Sequence, residues 1–164
     1  MLYSTTTNAH TSCNTCLHMQ LEQTRSAVLT GCLCLGETSR HRQQSKSDLL
    51  LCAFRALENV SGLKGERIKG CTGVWVNNEK VAAVGVRAQK WVTYHGVAVN
   101  VTTDLQPFQN IVPCGISSRG VTSVKQLAVH EGASDEELIH EYQFGLLDAF
   151  AEVFNVELVH SKPL

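Results

Sequence analysis

The stretch NIVPCGI, residues 110–116, holds a single cysteine between a proline and a glycine. Pro113 fixes its own φ angle, and Gly115 has no side chain to obstruct what approaches the sulfur atom. A cysteine that only fills space in a core behaves as a small hydrophobic residue and needs neither neighbour. The pattern therefore favours Cys114 as a nucleophilic thiol in covalent catalysis.

Lys80 is the residue whose chemistry would complement that thiol. A cysteine thiol has a pKa of about 8.5 and is mostly protonated at neutral pH, but a nearby ammonium group favours the thiolate. The same lysine could move protons during acyl transfer. A lysine where a turn meets a strand is more often a solvated charge, so the sequence leaves both interpretations open.

The predicted strand around residues 95–101 has one bulky face and one small face. The bulky face carries Val97, Val99 and Val101, and the small face carries Gly96, Ala98 and Asn100. Ala83 and Gly85 make the preceding strand similarly small. Two small faces could form a narrow apolar slot for an alkyl chain. A helix packed closely on the sheet would require the same small residues, so this alternative stays open.

Other polar residues near this strand have two possible roles each. His95 could be a buried core histidine, or it could orient a substrate carbonyl or an incoming amine. Asn100 and Asp104 are more typical of residues that fix a loop. Cys52 and Cys71 are interpreted as buried or incidental.

The seven cysteines are odd in number and irregularly spaced. The opening residues have neither a basic nor an apolar signal region, so we expect a reducing compartment. Four of the cysteines have plausible zinc spacing and could act with His10 or His18: Cys13, Cys16, Cys32 and Cys34. Because their region lacks the periodic hydrophobic residues of a small folded domain, no metal site is expected.

Composition limits the classes of partner. The chain has 164 residues, enough for one domain, with 43% hydrophobic and 18% charged residues and a net charge of −1. This near-neutral charge gives no electrostatic reason to expect nucleic acid or an anionic membrane. No apolar run approaches the roughly 20 residues that span a bilayer. We therefore expect protein or small-molecule partners.

The composition and periodicity of the sequence change near residue 48. Residues 1–48 are rich in Ser, Thr, Asn, Gln and Cys without sustained periodicity, which predicts a poorly ordered segment. Residues 49–164 have the pattern of a folded α+β domain. Its first predicted element is a helix with Ser47 or Asp48 as its N-cap and Gly62 beyond its end. The others are a hairpin turning at NNE (77–79), a strand over 90–102, a loop over 104–123, and a helix opened by a Ser134–Glu137 capping box.

Several separate motifs in the second part of the chain resemble the lipoyl(octanoyl) transferases, the LipB-type family, and especially its mitochondrial branch. In order along the chain, the matching motifs are GVWV (73–76), KVAAVGVR (80–87), HGVAVN (95–100), DL (104–105) and PCG (113–115). The resemblance extends from about residue 49 to the C-terminus. It implies the α+β fold of lipoate and biotin protein ligase catalytic domains, in which helices pack on a sheet.

The resemblance also implies an activity and a site. Such enzymes take an octanoyl group from acyl carrier protein and pass it to a lysine of a lipoyl-accepting domain, in the glycine cleavage H protein or in E2 subunits of 2-oxoacid dehydrogenases. Cys114 would carry the acyl group as a thioester, and Lys80 would lower the pKa of the thiol. The acyl-binding backbone would be Ala83, Val84, Gly85, Gly96, Val97 and Ala98. No cofactor is implied, and the location would be the mitochondrion.

One motif of the family is absent from the sequence. The family has an Arg-Gly-Gly followed by Thr-Tyr-His-Gly-Pro-Gly-Gln, which forms much of the substrate site. The TYHG at 93–96 continues as VAVN, and the chain contains no Arg-Gly-Gly. We therefore expect a truncated or alternatively started form, with a catalytic domain incomplete at its N-terminus. The alternative to an active transferase is an inactive family member that at most binds carrier or lipoyl domains.

Overall fold

A computed structural model of the chain describes residues 2–6, 15–21, 26–34, 39–89, 92–110, 119–128 and 132–161. The described strands are β1 (Leu2–Thr6), β2 (Thr15–Leu21), β3 (Ser26–Cys34), β4 (Val74–Val76), β5 (Glu79–Gln89), β6 (Val92–Asn100) and β7 (Glu157–Ser161). The described helices are α1 (Ser39–Ser61), a 3-10 helix (Gln106–Asn110), α2 (Val124–Leu127) and α3 (Asp135–Phe154). The α+β fold class predicted from the sequence is confirmed.

The strands form one antiparallel sheet in the order β4-β5-β6-β3-β2-β1-β7. Within it, β6 pairs with β5 on one side and with β3 on the other. The pairing with β3 runs from Ser26 opposite Asn100 to Cys34 opposite Val92. The strand that carries the HGVAVN motif is therefore an interior strand of the sheet.

The prediction of a poorly ordered segment up to residue 48 is wrong for the stretches that the structure describes. Three strands lie within it, and α1 begins at Ser39 rather than at Ser47 or Asp48. Without β3, the edge of β6 that faces away from β5 would have unpaired backbone groups. Hydrogen bonding to that edge makes residues 26–34 a strand, although their sequence has no hydrophobic periodicity. Residues 7–14, 22–25 and 35–38 lie outside the described part of the chain.

Helices α1 and α3 pack against each other and cover one face of the sheet. The core between the layers includes Leu49, Ala53, Leu57, Val84, Val97, Val99, Leu138, Tyr142, Leu146 and Phe150. A Cβ atom added to Gly145 of α3 would lie 2.8 Å from Val60 Cγ2 of α1, so the glycine permits a close helix crossing. The valine face of β6 is part of this core, as predicted.

Apart from the start of α1, the predicted local signals at the ends of these elements are confirmed. The Ser134 side chain accepts a hydrogen bond from Glu137 N, and the Glu137 carboxylate accepts one from Ser134 N, which is a capping box. Gly62 follows α1 with a φ of +63°. Asn77 and Asn78 have φ values of +51° and +69°, as a tight two-residue hairpin turn between β4 and β5 requires.

Across the described residues, no helix is both long and apolar enough to cross a bilayer.

Candidate active site

The side of β5 and β6 turned away from α1 and α3 is lined by very small residues. In the β5–β6 register Ala83 lies opposite Ala98, and Gly85 lies opposite Gly96. We call these four residues the small-residue face. Ala83 and Gly85 are exposed, and a Cβ atom added to Gly85 would meet nothing within 4 Å. Among the described elements, α1 and α3 lie on the valine face, so neither of these helices is packed on the small-residue face.

Two residues of the predicted acyl-binding set point to the other side of the sheet. The side chains of Val84 and Val97 are buried in the core, opposite each other in the register. Only their backbone atoms can therefore border the small-residue face. The remaining members, Ala83, Gly85, Gly96 and Ala98, lie on it.

His95 also lies on the core side of β6. It is buried, and its ring stacks on that of Phe154 with centroids 6.4 Å apart and planes 7° apart. Among the residues that the structure describes, neither ring nitrogen has a hydrogen-bond partner, and burial lowers the pKa of the imidazole. This placement does not agree with a substrate-binding role, because the sheet would separate the ring from a substrate on the small-residue face.

A β-bulge decides which side of the sheet Lys80 occupies. Trp75 pairs with Lys80 but Val74 pairs with Ala82, so β5 has one extra residue, Val81, at this point. In a bulge of this kind the two residues opposite one partner lie on the same side, and Val81 and Ala82 are indeed both fully buried. The extra residue therefore returns Lys80 to the side of Ala83 and Gly85.

Gly73 provides room for the Lys80 side chain. A Cβ atom added to this glycine would lie 2.6 Å from Lys80 Cε and 3.4 Å from Lys80 Nζ. Gly73 also has a φ of +123°, which L-amino-acid side chains rarely tolerate. Sequence reasoning did not identify Gly73, although it is the first residue of the GVWV motif.

The chain segment that follows Cys114 is fixed directly beside Lys80. Lys80 N donates to Gly120 O at 3.0 Å, and Thr122 N donates to Lys80 O at 2.9 Å. Asn100 Nδ2 donates to Thr122 O at 3.1 Å, which gives Asn100 the loop-fixing role considered from the sequence. Residues 111–118, and with them Cys114, lie outside the described residues.

Further contacts hold this segment and the one before it. The Arg119 guanidinium lies 5.6 Å from the centre of the Trp75 ring and donates to Asn78 Oδ1. Upstream, Asp104 Oδ1 accepts a hydrogen bond from Gln106 N at 3.0 Å, at the start of the 3-10 helix. The downstream flank of the PCG motif is thus held by contacts with other elements, and the upstream flank begins with a local turn.

The other cysteines differ in environment. Cys52 is fully buried in α1, and burial raises the pKa of its thiol to about 12, so it is not a thiolate at neutral pH. Cys71 is half-buried in the loop before β4. Of the residues considered for zinc, Cys16 and Cys32 lie opposite each other in the β2–β3 register, whereas His10 and Cys13 lie outside the described residues. No group of three or more potential metal ligands occurs among the residues that the structure describes.

Comparison with known proteins identifies relatives by sequence. The model of the lipoyl protein ligase A/B catalytic domain family matches residues 26–142. The chloroplastic octanoyltransferase LIP2p2 of Arabidopsis thaliana is 48% identical over 110 residues, which are 64% of this chain and 39% of that protein. Two matching octanoyltransferases come from Nostoc cyanobacteria, and the matched region is 43% of the length of one and 53% of the other. The chain therefore spans about half the length, or less, of these curated relatives.

Comparison with solved structures shows the fold. The biotin protein ligase of Aquifex aeolicus aligns with a TM-score of 0.59 at 18% identity, covering 79% of this chain and 52% of that one. A bipartite lipoate protein ligase of Thermoplasma acidophilum, studied with its E2 lipoyl domain, aligns with a TM-score of 0.58 at 15% identity, covering 79% and 51%. The predicted ligase-type fold is therefore confirmed. Together with the family match, these results show that the chain belongs to the lipoyl protein ligase A/B catalytic domain family, and that the relatives it matches within it are octanoyltransferases.

Proposed function

We propose that this chain is an acyltransferase of protein lipoylation that moves an octanoyl group from acyl carrier protein to a lysine of a lipoyl-accepting domain. The observation that carries the proposal is the pairing of Lys80 with residues 120–122, just downstream of the PCG motif. It supports the proposal because the described stretch after the PCG motif is hydrogen-bonded to Lys80, the lysine of the KVAAVGVR motif, on the side of the small-residue face. Family membership gives the transferred group.

The first half of the reaction is acylation of Cys114. Its thiolate attacks the carbonyl carbon of the octanoyl thioester, and the tetrahedral intermediate expels the thiolate of the carrier. A new carbon–sulfur bond to Cys114 replaces the bond to the carrier. The Lys80 ammonium favours the thiolate before attack and is a proton donor for the departing sulfur atom.

The second half transfers the acyl group to nitrogen. The neutral amine of the acceptor lysine attacks the Cys114 thioester, forms an amide bond and releases the Cys114 thiolate. The proton lost by the attacking amine passes to Lys80, which became neutral when it protonated the carrier sulfur, and this restores the ammonium group. No oxidant, metal or nucleotide is required, because the donor thioester is already activated.

The small-residue face is the proposed site for the octanoyl chain. Ala83 and Gly85 are exposed beside Gly96 and Ala98, so an alkyl chain can lie directly against the backbone of β5 and β6. Such contact removes apolar surface from water and stabilises the bound acyl group at roughly 25 cal/mol per Å² buried. Asn100 lies next on this side of β6, and its side chain is hydrogen-bonded to Thr122 of the loop after the PCG motif. We therefore do not assign it to the octanoyl-binding site.

The proposed acceptors are the lipoyl domains of E2 subunits and the H protein of glycine cleavage. Support comes from the archaeal ligase of the same fold, which was studied with an E2 lipoyl domain. For location we propose an organelle, specifically the mitochondrion as the motif resemblance implies. The relatives support the coarser assignment, since they are chloroplastic or bacterial.

A second candidate function is binding without catalysis. The chain spans 39% to 53% of the length of three octanoyltransferase relatives and has no Arg-Gly-Gly motif. Such a chain could keep the docking surfaces for carrier or lipoyl domains while lacking part of the acyl site.

A mass-spectrometric assay separates the two candidates. The full chain is incubated with octanoyl-acyl carrier protein, and its intact mass is compared with those of Cys114→Ala and the matched thiol variant Cys52→Ala. The proposal predicts one octanoyl adduct that hydroxylamine removes, present in the unmodified chain and in Cys52→Ala and absent in Cys114→Ala.

Two results would count against the transferase. An adduct that persists in Cys114→Ala would remove Cys114 as the nucleophile. Absence of any adduct from folded protein that still binds the carrier would favour the non-catalytic alternative.

A further inference from the structure

A basic cavity lies next to Lys80 and is not used by the mechanism above. It has a volume of about 570 Å³ and opens between residues 46–50 of α1 and the loop that leads into β4. We call it the basic pocket, and its lining residues are Lys46, Ser47, Leu50, Arg67, Ile68, Lys69, Cys71, Thr72 and Gly73. Three of these nine residues are cationic and none of them is acidic, so the pocket is suited to an anion.

Hydrogen bonds across the pocket hold two of the cations at its rim. Lys46 Nζ donates to Thr72 Oγ1 at 3.1 Å, which joins α1 to the loop. Arg67 Nη2 donates to Ser47 O at 3.1 Å, and its guanidinium lies 5.9 Å from the centre of the Phe54 ring. These contacts place the positive groups around one opening before any ligand arrives, which reduces the entropic cost of binding.

The lining also has an apolar part and a direct connection to the proposed catalytic lysine. Leu50 and Ile68 contribute branched aliphatic side chains to the wall. Gly73 belongs to the pocket lining and also lies against Lys80 Cε and Nζ. Gly73 is buried between the pocket and Lys80, so the two lie close together at this end of the sheet.

We propose that the basic pocket binds the phosphate end of the phosphopantetheine arm that carries the octanoyl thioester. This inference rests on the proposed function, because it concerns the donor of that reaction. The arm combines a phosphodiester with an adjacent carbon that bears two methyl groups, and its thioester lies at the other end. Phosphate oxygens suit Arg67, Lys46 and Lys69, and the methyl groups suit Leu50 and Ile68.

The test measures binding separately from chemistry. In the Cys114→Ala chain, calorimetry compares octanoyl-4′-phosphopantetheine with octanoyl-pantetheine, which lacks only the phosphate. We expect the phosphate to tighten binding by about tenfold or more, as a charge-assisted hydrogen bond does. Lys69→Ala should remove most of that difference, and Lys64→Ala, which changes an exposed lysine outside the pocket lining, should leave it intact. Binding of octanoyl-pantetheine should be the same in both variants.

Three results decide the proposal. Equal binding of the two small donors, or no effect of Lys69→Ala, would overturn it. Lys69→Ala could instead weaken binding of octanoyl-acyl carrier protein and leave binding of octanoyl-4′-phosphopantetheine unchanged. That result would also overturn the proposal, because it would assign the pocket to acidic side chains of the carrier. Phosphate-dependent binding that Lys69→Ala abolishes would support it.

The two proposals can fail separately. Phosphate-dependent binding in a chain that never forms an adduct on Cys114 would overturn the catalytic proposal and support the pocket. An adduct on Cys114 whose formation does not depend on the phosphate would support the catalytic proposal and overturn the pocket proposal.

Discussion

His95 is buried in the core and stacked on Phe154, and neither ring nitrogen is hydrogen-bonded to any residue in the described part of the chain. The free-energy cost of burying an imidazole is smaller when the ring is neutral. Burial therefore lowers the pKa of His95 below the ordinary value of 6.5. The residue is part of the HGVAVN motif, yet its ring faces away from the proposed acyl slot. We infer that His95 contributes to packing between β6 and α3.

This environment predicts a pH dependence of stability. Since the pKa of His95 is lower in the folded chain, the unfolded chain binds the proton first as the pH falls below about 6.5. The free energy of unfolding should therefore decrease with falling pH, by at most about 1.4 kcal/mol per pH unit from this residue. Urea unfolding at about pH 5 and about pH 7 should show a smaller pH difference for His95→Leu than for the unmodified chain.

His140 provides the control for that measurement, because it is an exposed histidine on α3. His140→Gln should keep the pH difference of the unmodified chain. If His95→Leu keeps it as well, the imidazole of His95 is not the source.

At the scale of elements, the β5–β6 pair separates two functions on its two sides. One side holds valines that join the core, and the other holds the small-residue face. Alternation along β6 predicted this division from the sequence. Alternation could not place Lys80, because the bulge at Val81 shifts the pattern of β5 by one residue. A bulge has no hydrophobic periodicity of its own, so pairing in the fold was needed to find it.

A substitution on the small-residue face should therefore affect the reaction and leave the fold intact. Gly85 has no neighbour within 4 Å of an added Cβ atom, and valine suits a strand. Gly85→Val should keep or raise the free energy of unfolding, by up to about 1 kcal/mol. It should slow formation of the octanoyl adduct by about tenfold or more, because the side chain would occupy the slot.

Arg87→Val makes the matched change two residues further along the same side of β5, where the side chain is also exposed. It should leave adduct formation near the rate of the unmodified chain. A Gly85→Val protein that folds and acylates at the unmodified rate would show that the octanoyl chain lies elsewhere.

At the scale of the whole molecule, the fold brings together segments that are distant in the sequence. The helix caps, the Asn77–Asn78 turn and the valine face were predictable because each depends on local residue types. Strands β1 to β3 could not be predicted, because their sequences lack hydrophobic periodicity. They form by pairing with one another and with β6 and β7. For the same reason, no local pattern shows that residues 120–122 lie beside Lys80.

The basic pocket is likewise a product of the whole fold. Its cations come from Lys46 of α1 and from the loop before β4, and neither stretch has a distinctive charge pattern. The chain as a whole has a net charge of −1, which gave no indication of a local anion site. Concentration of charge in a cavity depends on packing, and net charge does not report it.

The central claim is that Lys80 acts on Cys114, and the pH dependence of Cys114 alkylation tests it most directly. Mass spectrometry of the peptide that contains Cys114, after iodoacetamide treatment, would give the midpoint pH of its modification in the unmodified chain, in Lys80→Ala, and in Lys80→Arg, which keeps the positive charge. The account predicts a midpoint about one pH unit or more higher in Lys80→Ala, because the thiolate loses a neighbouring ammonium group, and a nearly unchanged midpoint in Lys80→Arg. The same midpoint in all three folded proteins would contradict it and leave Lys80 as a solvated charge.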